Sequence, residues 1–289
     1  MHEGEWKRHI RRLQKRTREV SNKKTLIAHI TRAVTDAACR LIPSRKFGIL
    51  FSGGLDSSAL ALIIRQKTSN FLCYAVGFQD GTKLPDDIRE AKRAARMLGV
   101  RLRFRIHSLA EIEPIIEHTI RILGRHADAV NVGVGAVAVA AAQMAKRDKV
   151  DIFFTGLGSE EIFAGYERHK VKDVNAECWR GLARMWERDI IRGRLLADAL
   201  HITFLDPLLD DAVIIAAMQA PGKHKIAAGQ NKVIFREAAM HLGLPQEIAL
   251  RKKQAAQYGS RFDQALGKLA KTHGFKYKQE YIDSILKKR

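Results

Sequence analysis

Residues 47–64, "FGILFSGGLDSSALALII", decide the fold of this chain. One apolar run ends at Ser52-Gly53-Gly54, and a second apolar run follows Asp56-Ser57-Ser58. Glycine and serine between two apolar runs are typical of a strand that turns sharply into a helix. We therefore predict a strand over 47–51 and a helix over 55–66, joined by a polar loop, which we call the 52–58 loop.

The alternation of strand and helix continues along residues 44–170. Apolar runs predict three further strands, and amphipathic patterns between them predict three helices. The strands are expected over 71–78, 101–106 and 150–156, and the helices over 86–98, 109–123 and 133–147. This alternation implies right-handed crossovers and hence an α/β fold with an open, doubly wound parallel sheet.

Both flanks of this α/β core are predicted to be helical. Residues 1–43 form a basic N-terminal segment, with one helix over 1–24 and a second over 25–42 that Pro43 stops. The narrow apolar face of the first helix would carry Trp6, Ile10, Leu13 and Val20. Strand patterns fade after residue 170, so residues 171–289 are expected to form a helical C-terminal part.

The charge of the chain is unusual. Lysine and arginine number 51 against 31 aspartates and glutamates in 289 residues, a formal net charge of +20. Such an excess indicates affinity for polyanions, and RNA is one candidate partner. A general basic bias without a specific partner explains the same number, and the first helix is accordingly either an RNA-facing arm or a solvated helix.

Composition excludes some classes of protein. No apolar stretch of about 20 residues occurs, so no membrane span is expected. The N-terminus is polar and basic and lacks an apolar signal region, which favours a cytoplasmic protein. The three cysteines, Cys39, Cys73 and Cys178, lack metal-ligand spacing and are expected to be buried or incidental thiols.

The 52–58 loop has the chemistry of a phosphate site. Ligands of open parallel sheets bind beyond the carboxyl ends of the strands, where this loop is expected. Gly53 and Gly54 let backbone N–H groups approach an anion, and the following helix adds its positive end. Asp56 would repel phosphate unless a Mg²⁺ ion lies between them. The loop lacks the lysine of G-x-x-x-x-G-K-[ST] and the spacing of G-x-G-x-x-G, so it is neither of those phosphate loops.

The motifs that follow in order resemble one family. "LFSGGLDSS" is similar to the loop of ATP pyrophosphatases, and "TGLGSEEIFAGYERH" (155–169), "FLDPLLDD" (204–211), "NKVIFREAA" (231–239) and "RKKQAAQYG" (251–259) resemble later motifs of asparagine synthetases and β-lactam synthetases. The resemblance covers roughly residues 30 to 265. It implies the fold of adenine nucleotide alpha hydrolases, cleavage of ATP between its α- and β-phosphates, and a C-terminal part that completes the active site.

The resemblance also implies roles for individual residues. Glu160 would lie near Mg²⁺, which Asp56 also binds, and near the substrate amine. Lys253 would neutralise pyrophosphate and stabilise the acyl-transfer intermediate, and both join Asp56 as catalytic residues. The residues implied to bind the nucleotide through its phosphates, adenine or backbone contacts are Leu50, Ser52, Gly53, Gly54, Asp56, Ser57, Ser58, Val76 and Gly156.

Several features depart from the family pattern. The chain carries no glutaminase domain with its N-terminal catalytic cysteine, so the nitrogen is expected from ammonia, another amine or a separate glutaminase subunit. Leu157 replaces the glutamate or tyrosine of the family's acyl-transfer centre. Residues 131–143 lack the family's arginine and hydroxyl groups, and Gly133, Gly135 and Ala136 there serve either close packing or a larger pocket. His201 replaces a family arginine, either as a functional substitute or as a structural residue.

These observations favour an ATP-dependent ligase that adenylylates a carboxylate, aspartate by family default, and passes the acyl group to ammonia or another amine. Two alternatives stay open. One is an RNA-modifying enzyme that uses the same loop, with an RNA contact through Lys7, Arg8, Arg11, Arg12, Lys15 and Arg16. The other is an ATP-binding regulatory protein without acyl transfer.

Overall fold

The computed structural model of the chain describes residues 2–251 and 255–288. Its centre is a sheet of five parallel strands in the order β3-β2-β1-β4-β5. The strands are β1 (Phe47–Leu50), β2 (Phe71–Phe78), β3 (Leu102–His107), β4 (Ile152–Phe154) and β5 (Thr203–Leu205). β1 pairs with β2 on one side, where Phe47 faces Phe71, and with β4 on the other, where Gly48 faces Phe153.

Helices surround the sheet. In the described residues they are α1 (Glu3–Arg16), α2 (Lys23–Arg40), α3 (Leu55–Arg65), α4 (Asp86–Leu98), α5 (Leu109–Leu123), α6 (Ala129–Lys146), α7 (Ser159–Ile162), α8 (Val174–Met185), α9 (Ile191–Leu200), α10 (Asp211–Met218), α11 (Gly222–Lys225), α12 (Val233–His241), α13 (Gln246–Ala249), α14 (Ala256–Gly259), α15 (Phe262–Thr272) and α16 (Lys278–Lys287). A π-helical turn, Trp186–Ile190, joins α8 to α9.

Side chains that alternate along the strands bury both faces of the sheet. In β1 and β2, Phe47, Ile49 and Cys73 belong to a core shared with α2, α3 and α4. Their neighbours Leu72 and Tyr74 belong to a second core shared with α5, α6, α15 and α16. The predicted α/β fold with an open, doubly wound parallel sheet is therefore confirmed.

The C-terminal part is mainly helical, and it also contains one strand that the sequence pattern did not predict. β5 lies within it and extends the sheet beside β4, with Phe153 facing Phe204. Three residues are too short to show a period of two, so the sequence pattern did not reveal this strand. The boundary at residue 170 stays a prediction, although β5 from the C-terminal part pairs with β4 from the α/β core.

The first predicted helix was too long. α1 ends at Arg16, where the Thr17 hydroxyl donates to the Leu13 carbonyl at 2.8 Å. The connecting segment then packs on the body of the protein, since the Val20 N–H donates to the Gln219 carbonyl at 3.0 Å. Trp6, Ile10 and Leu13 are buried as predicted, but Val20 lies in this connection rather than on the helix.

The helix α6 contains 18 mostly apolar residues. α6 is long and apolar enough to span a bilayer by length and composition, and 56% of its window is buried inside the protein. A core helix passes the same test, so this helix is weak evidence for a membrane protein.

The order of the strands creates a crevice beside β1. The chain moves from β1 to β2 and β3 on one side, and then returns to place β4 and β5 on the other. The connections after β1 and β4 therefore leave the sheet in opposite directions. Such a switch point is where open α/β sheets bind their ligands.

Candidate functional site

A cavity of about 830 Å³ lies at this switch point. Its wall includes residues that follow three strands, among them Ser52 after β1, Gly156 after β4 and Asp206 after β5. A cavity of this size is within the range of sites that enclose a cofactor or a metabolite. The fold therefore places the ends of β1, β4 and β5 around one candidate site.

The backbone of the 52–58 loop explains its glycines. Gly53 has φ of 68°, a left-handed conformation, and a Cβ added there would overlap the backbone carbonyl of Glu90 on α4. Only glycine lets the loop pack so closely on α4. The Gly54 N–H lies 3.4 Å from Ser52 Oγ, and α3 begins at the next residue. The positive end of an eleven-residue helix thus opens at the cavity.

Most of the residues predicted to bind nucleotide line this cavity. They are Leu50, Ser52, Gly54, Asp56, Ser57, Val76 and Gly156. Gly53 and Ser58 are not among the described residues of the wall. Ser58 is completely buried, and its hydroxyl makes no hydrogen bond with any described residue. Lys253 lies outside the described residues.

Lys232 lines the cavity and contacts two carboxylates. Its Nζ donates to Asp56 Oδ1 and Oδ2 at 2.9 and 2.8 Å and lies 2.5 Å from Glu160 Oε1. It also donates to Ser159 Oγ at 3.0 Å, and Ser159 donates to Asp56 Oδ1 at 2.8 Å. We call Asp56, Ser159, Glu160 and Lys232 the lysine cluster. One ammonium therefore joins the 52–58 loop to the motif after β4.

The surrounding backbone holds the lysine cluster tightly. Lys232 is 2% exposed and has φ of 59° immediately before α12. A Cβ on Gly165 would overlap Glu160 Oε2 and approach Lys232 Cε, so this glycine makes room for the pair. Asn231 Nδ2 donates to the Gly165 carbonyl at 2.9 Å and fixes the two segments together. Burial lowers the pKa of Lys232, and the Asp56 carboxylate opposes that shift.

The two carboxylates predicted to bind metal have different surroundings. Asp56 lines the cavity, whereas Glu160 lies behind Lys232 and is not among the described residues of the wall. No three acidic, histidine or cysteine side chains cluster as a metal site in the described part of the chain. Mg²⁺ at a nucleotide commonly takes one or two carboxylates and completes its shell with phosphate oxygens and waters. Asp56 beside the glycine cradle fits that arrangement, and the metal role of Glu160 stays a prediction.

Two arginines anchor the chain that leads to Lys253. Arg236 donates to the carbonyls of Asn231, Ala249 and Arg251, the last at 3.0 Å. Arg251 in turn donates to the Ser52 carbonyl at 3.1 Å, and its guanidinium lies 3.6 Å from Asp87. Both side chains line the cavity. The segment that ends at Arg251 is thus fixed against the 52–58 loop.

The wall beyond Gly156 is largely apolar. Leu157 lines the cavity, and so does the α6 face formed by Val134, Val137, Ala138 and Ala141. Gly133 and Gly135 serve packing, because a Cβ on either would come within 3.0 Å of Gln257 or Thr119. His201 caps the end of α9 with φ of 53°, is exposed and lies outside the wall, which favours its structural role.

Asp206 is a titratable group of the cavity that received no individual role from the sequence. Burial raises its pKa to about 6, and the hydrogen bond from the Thr155 hydroxyl opposes the shift. Thr155 Oγ1 also accepts from the Leu157 N–H at 3.1 Å. Asp206 therefore holds the turn that presents Leu157 to the cavity.

Sequence reasoning also missed Lys232, Arg236 and Arg251 as residues of the site. All three lie in motifs whose resemblance was recognised, so position within a motif was the available signal. Their proximity to Asp56 and Ser52 arises from contacts across about 180 to 200 positions, which no local pattern contains.

The chain is similar to proteins of one known family. The pattern of the family described as asparagine synthase matches residues 29–203 and 171–283. A candidate glutamine-hydrolyzing asparagine synthetase of Methanocaldococcus jannaschii is 27% identical over 84% of this chain and 51% of its own length. The glutamine-hydrolyzing asparagine synthetase of Gallus gallus is 27% identical over 84% of this chain and 44% of its own length.

The chain thus spans about half the length of these curated relatives. Among solved structures, NMN synthetase from Francisella tularensis aligns over 93% of this chain and 94% of that chain, with a TM-score of 0.44 and 14% identity. The family match itself extends over more than half of the described residues. The chain belongs to the asparagine synthase family.

Proposed function

We propose that this protein is an ATP-dependent ligase that adenylylates a carboxylic acid, releases pyrophosphate and passes the acyl group to an amine. The observation that carries the proposal is the lysine cluster, which joins the 52–58 loop to the motif after β4 at the wall of one cavity. Relatives in the same family are named asparagine synthetases, so aspartate and ammonia are the first substrates to test.

The first step forms one bond and breaks one. An oxygen of the substrate carboxylate attacks the α-phosphorus of ATP, and the bond from that phosphorus to the bridging oxygen of the β-phosphate breaks. Pyrophosphate leaves with the electron pair, and an acyl adenylate remains. Backbone N–H groups of the 52–58 loop and the start of α3 would bind the phosphates.

The lysine cluster supplies fixed charge for this step. Lys232 lies against Asp56 and holds that carboxylate in one orientation at the wall of the cavity. Mg²⁺, which we expect Asp56 to bind together with the phosphates, neutralises phosphate charge when bound. Leu50 and Val76 provide apolar wall for the adenine at the ends of β1 and β2.

The second step transfers the acyl group. The amine nitrogen attacks the carbonyl carbon, the carbon–oxygen bond to AMP breaks, and the amine gives up one proton to solvent. Arg236 and Arg251 fix the chain on the N-terminal side of Lys253 beside Ser52. We propose that Lys253 neutralises pyrophosphate in the first step and stabilises the acyl-transfer intermediate in the second.

Analysis of the nucleotide products tests the proposal. The protein is incubated with ATP, Mg²⁺, an amine and a panel of carboxylic acids that includes aspartate. We expect AMP, pyrophosphate and amide in equal amounts with at least one acid. Formation of ADP and phosphate would contradict the proposal, and nucleotide binding without turnover for any acid would favour an ATP-binding regulatory protein.

We propose RNA as a second kind of partner, because α1 presents an exposed basic face. Arg11, Arg12 and Arg16 are exposed and make no ion pair with the described residues, whereas Lys7 is paired with Glu187 at 2.8 Å. Unpaired arginines on one helix are suited to phosphates of a nucleic acid.

Binding of tRNA at graded salt tests this surface. The Arg11→Gln/Arg12→Gln variant should bind more weakly and with a salt slope smaller by roughly one to two. The matched control is Arg93→Gln/Arg96→Gln, which removes two exposed arginines from α4. Equal losses in both variants, or no binding at low salt, would sink the assignment.

A further inference from the structure

We infer that the acid substrate has a bulky apolar body, which occupies an apolar chamber that continues from the nucleotide site. This inference rests on the proposed function and names the substrate class of the same site. The chamber is the part of the cavity between the sheet and helices α6 and α9. Its wall includes Tyr74, Val137, Ala138, Leu196, Ala197 and Phe204.

Aromatic rings lie on the sheet side of the chamber, where Tyr74 and Phe204 line the wall and Phe153 packs between them. Tyr74 of β2 lies 5.8 Å from Phe153 of β4, and Phe153 lies 6.5 Å from Phe204 of β5, as ring centroids. β1 separates β2 from β4, and the rings meet because β1 has Gly48 there. A Cβ on Gly48 would lie 2.7 Å from the Phe153 ring and 3.0 Å from the Tyr74 ring. The rings from β2, β4 and β5 therefore form one packed aromatic layer that passes over Gly48 of β1.

The polar end of Tyr74 is already satisfied. Its hydroxyl donates to Asp148 Oδ2 at 3.0 Å, so the ring is the part of this residue that is offered to the chamber. The helix side is apolar as well, with Val137 and Ala138 from α6 and Leu196 and Ala197 from α9. Val137, Ala138 and Ala197 are only half-buried although they lie in the interior, because they face the cavity.

Among the charged residues of this wall, Asp189 and Arg192 are paired with each other, and the Arg194 guanidinium lies 5.4 Å from the centroid of the Trp186 ring. Arg192 is 7% exposed, and its guanidinium donates to Asp189 Oδ1 at 2.9 Å and to Asn131 Oδ1 at 2.8 Å. An aspartate substrate would bring a second carboxylate and an ammonium group, and burial of either without a partner is costly. Leu157, which follows Gly156 and lines the cavity, offers neither a proton acceptor nor a charge. The chamber therefore suits a monocarboxylic acid with an aromatic or aliphatic body.

Chain-length selectivity tests the chamber. Pyrophosphate release is measured with butyrate, octanoate, decanoate, 4-phenylbutyrate and aspartate, and acid binding is measured separately by calorimetry. We expect kcat/KM to rise about fourfold for each added methylene until the chamber is full. We expect aspartate to be the poorest acid of the panel.

Two variants narrow the chamber from opposite walls, Ala138→Leu on α6 and Ala197→Leu on α9. Each should move the optimum to shorter acids and lower kcat/KM for decanoate at least about tenfold, with the ATP affinity unchanged. Ala199→Leu is the matched control, because Ala199 is exposed on the same helix as Ala197. It should retain the wild-type length profile, and a melting temperature for each variant distinguishes narrowing from unfolding.

The possible results distinguish failure of the chamber hypothesis from failure of the proposed ligase activity. Pyrophosphate release with aspartate alone, unchanged by Ala138→Leu and Ala197→Leu, overturns the chamber and leaves the ligase intact. Decanoate binding that both variants weaken, without pyrophosphate release by any acid, supports the chamber and overturns the ligase.

Discussion

Replacing Lys232 with methionine should lower the melting temperature by about 10 °C at pH 8 and abolish pyrophosphate release. The Lys232 ammonium lies between the Asp56 and Glu160 carboxylates, at 2.8 and 2.5 Å, and is almost completely buried. Its removal leaves two carboxylates facing each other, and breaking a buried pair in this way costs about 3–5 kcal/mol. The loss of stability should be smaller at pH 5, because two close carboxylates without the ammonium between them would share a proton there.

Lys225→Met is the matched control for this variant. Lys225 is also completely buried, but its Nζ lies 3.1 Å from Met218 Sδ and makes no ion pair with the described residues. Burial lowers the pKa of Lys225 to about 8. A lysine whose pKa is depressed on folding destabilises the protein at pH 7, so Lys225→Met should preserve or raise the melting temperature. Equal losses in both variants would contradict the special role of the lysine cluster.

Replacing Gly53 with alanine should have the second-largest effect. The left-handed backbone costs about 1–2 kcal/mol for any side chain, and the clash with the Glu90 carbonyl adds about 1–3 kcal/mol. Relief of that clash displaces the 52–58 loop from α4, so pyrophosphate release should fall at least about 100-fold.

The Gly81→Ala variant separates the cost of the left-handed backbone from the cost of the clash with α4. Gly81 also has a positive φ, 82°, but a Cβ there meets no atom within 4 Å. This control should show the backbone cost in its melting temperature and keep full activity. If Gly53→Ala behaved like Gly81→Ala in both measurements, the loop would not need its contact with α4.

Local patterns were sufficient for the α/β core. The runs over 47–51 and 71–78 contain enough apolar residues to indicate buried parallel strands, and the structure places β1 and β2 there. The strand β5 was not predicted because Thr203–Leu205 contains only three residues, too few to show a strand pattern. The segment after α1 is held by a hydrogen bond from Val20 to Gln219, a contact distant in sequence that no local pattern contains.

The candidate site was predicted unevenly for the same reason. The 52–58 loop is contiguous, so its glycines, serines and Asp56 were visible as one phosphate site. Lys232 and Asp56 are far apart in the sequence and meet only in the folded protein, so no local pattern predicts their contact. The apolar chamber is also a tertiary feature, since α6 and α9 contribute separate walls to it.

The 52–58 loop is proposed as the site where ATP is cleaved. The most direct test is exchange of labelled pyrophosphate into ATP, in the presence of an acid that supports product formation. The wild-type protein should catalyse this exchange, because formation of the acyl adenylate is reversible before the amine arrives. Asp56→Ala should abolish it, since Asp56 joins the 52–58 loop to Lys232 and lines the cavity. Exchange that persists in folded Asp56→Ala would contradict the assignment of this loop as the site of ATP cleavage.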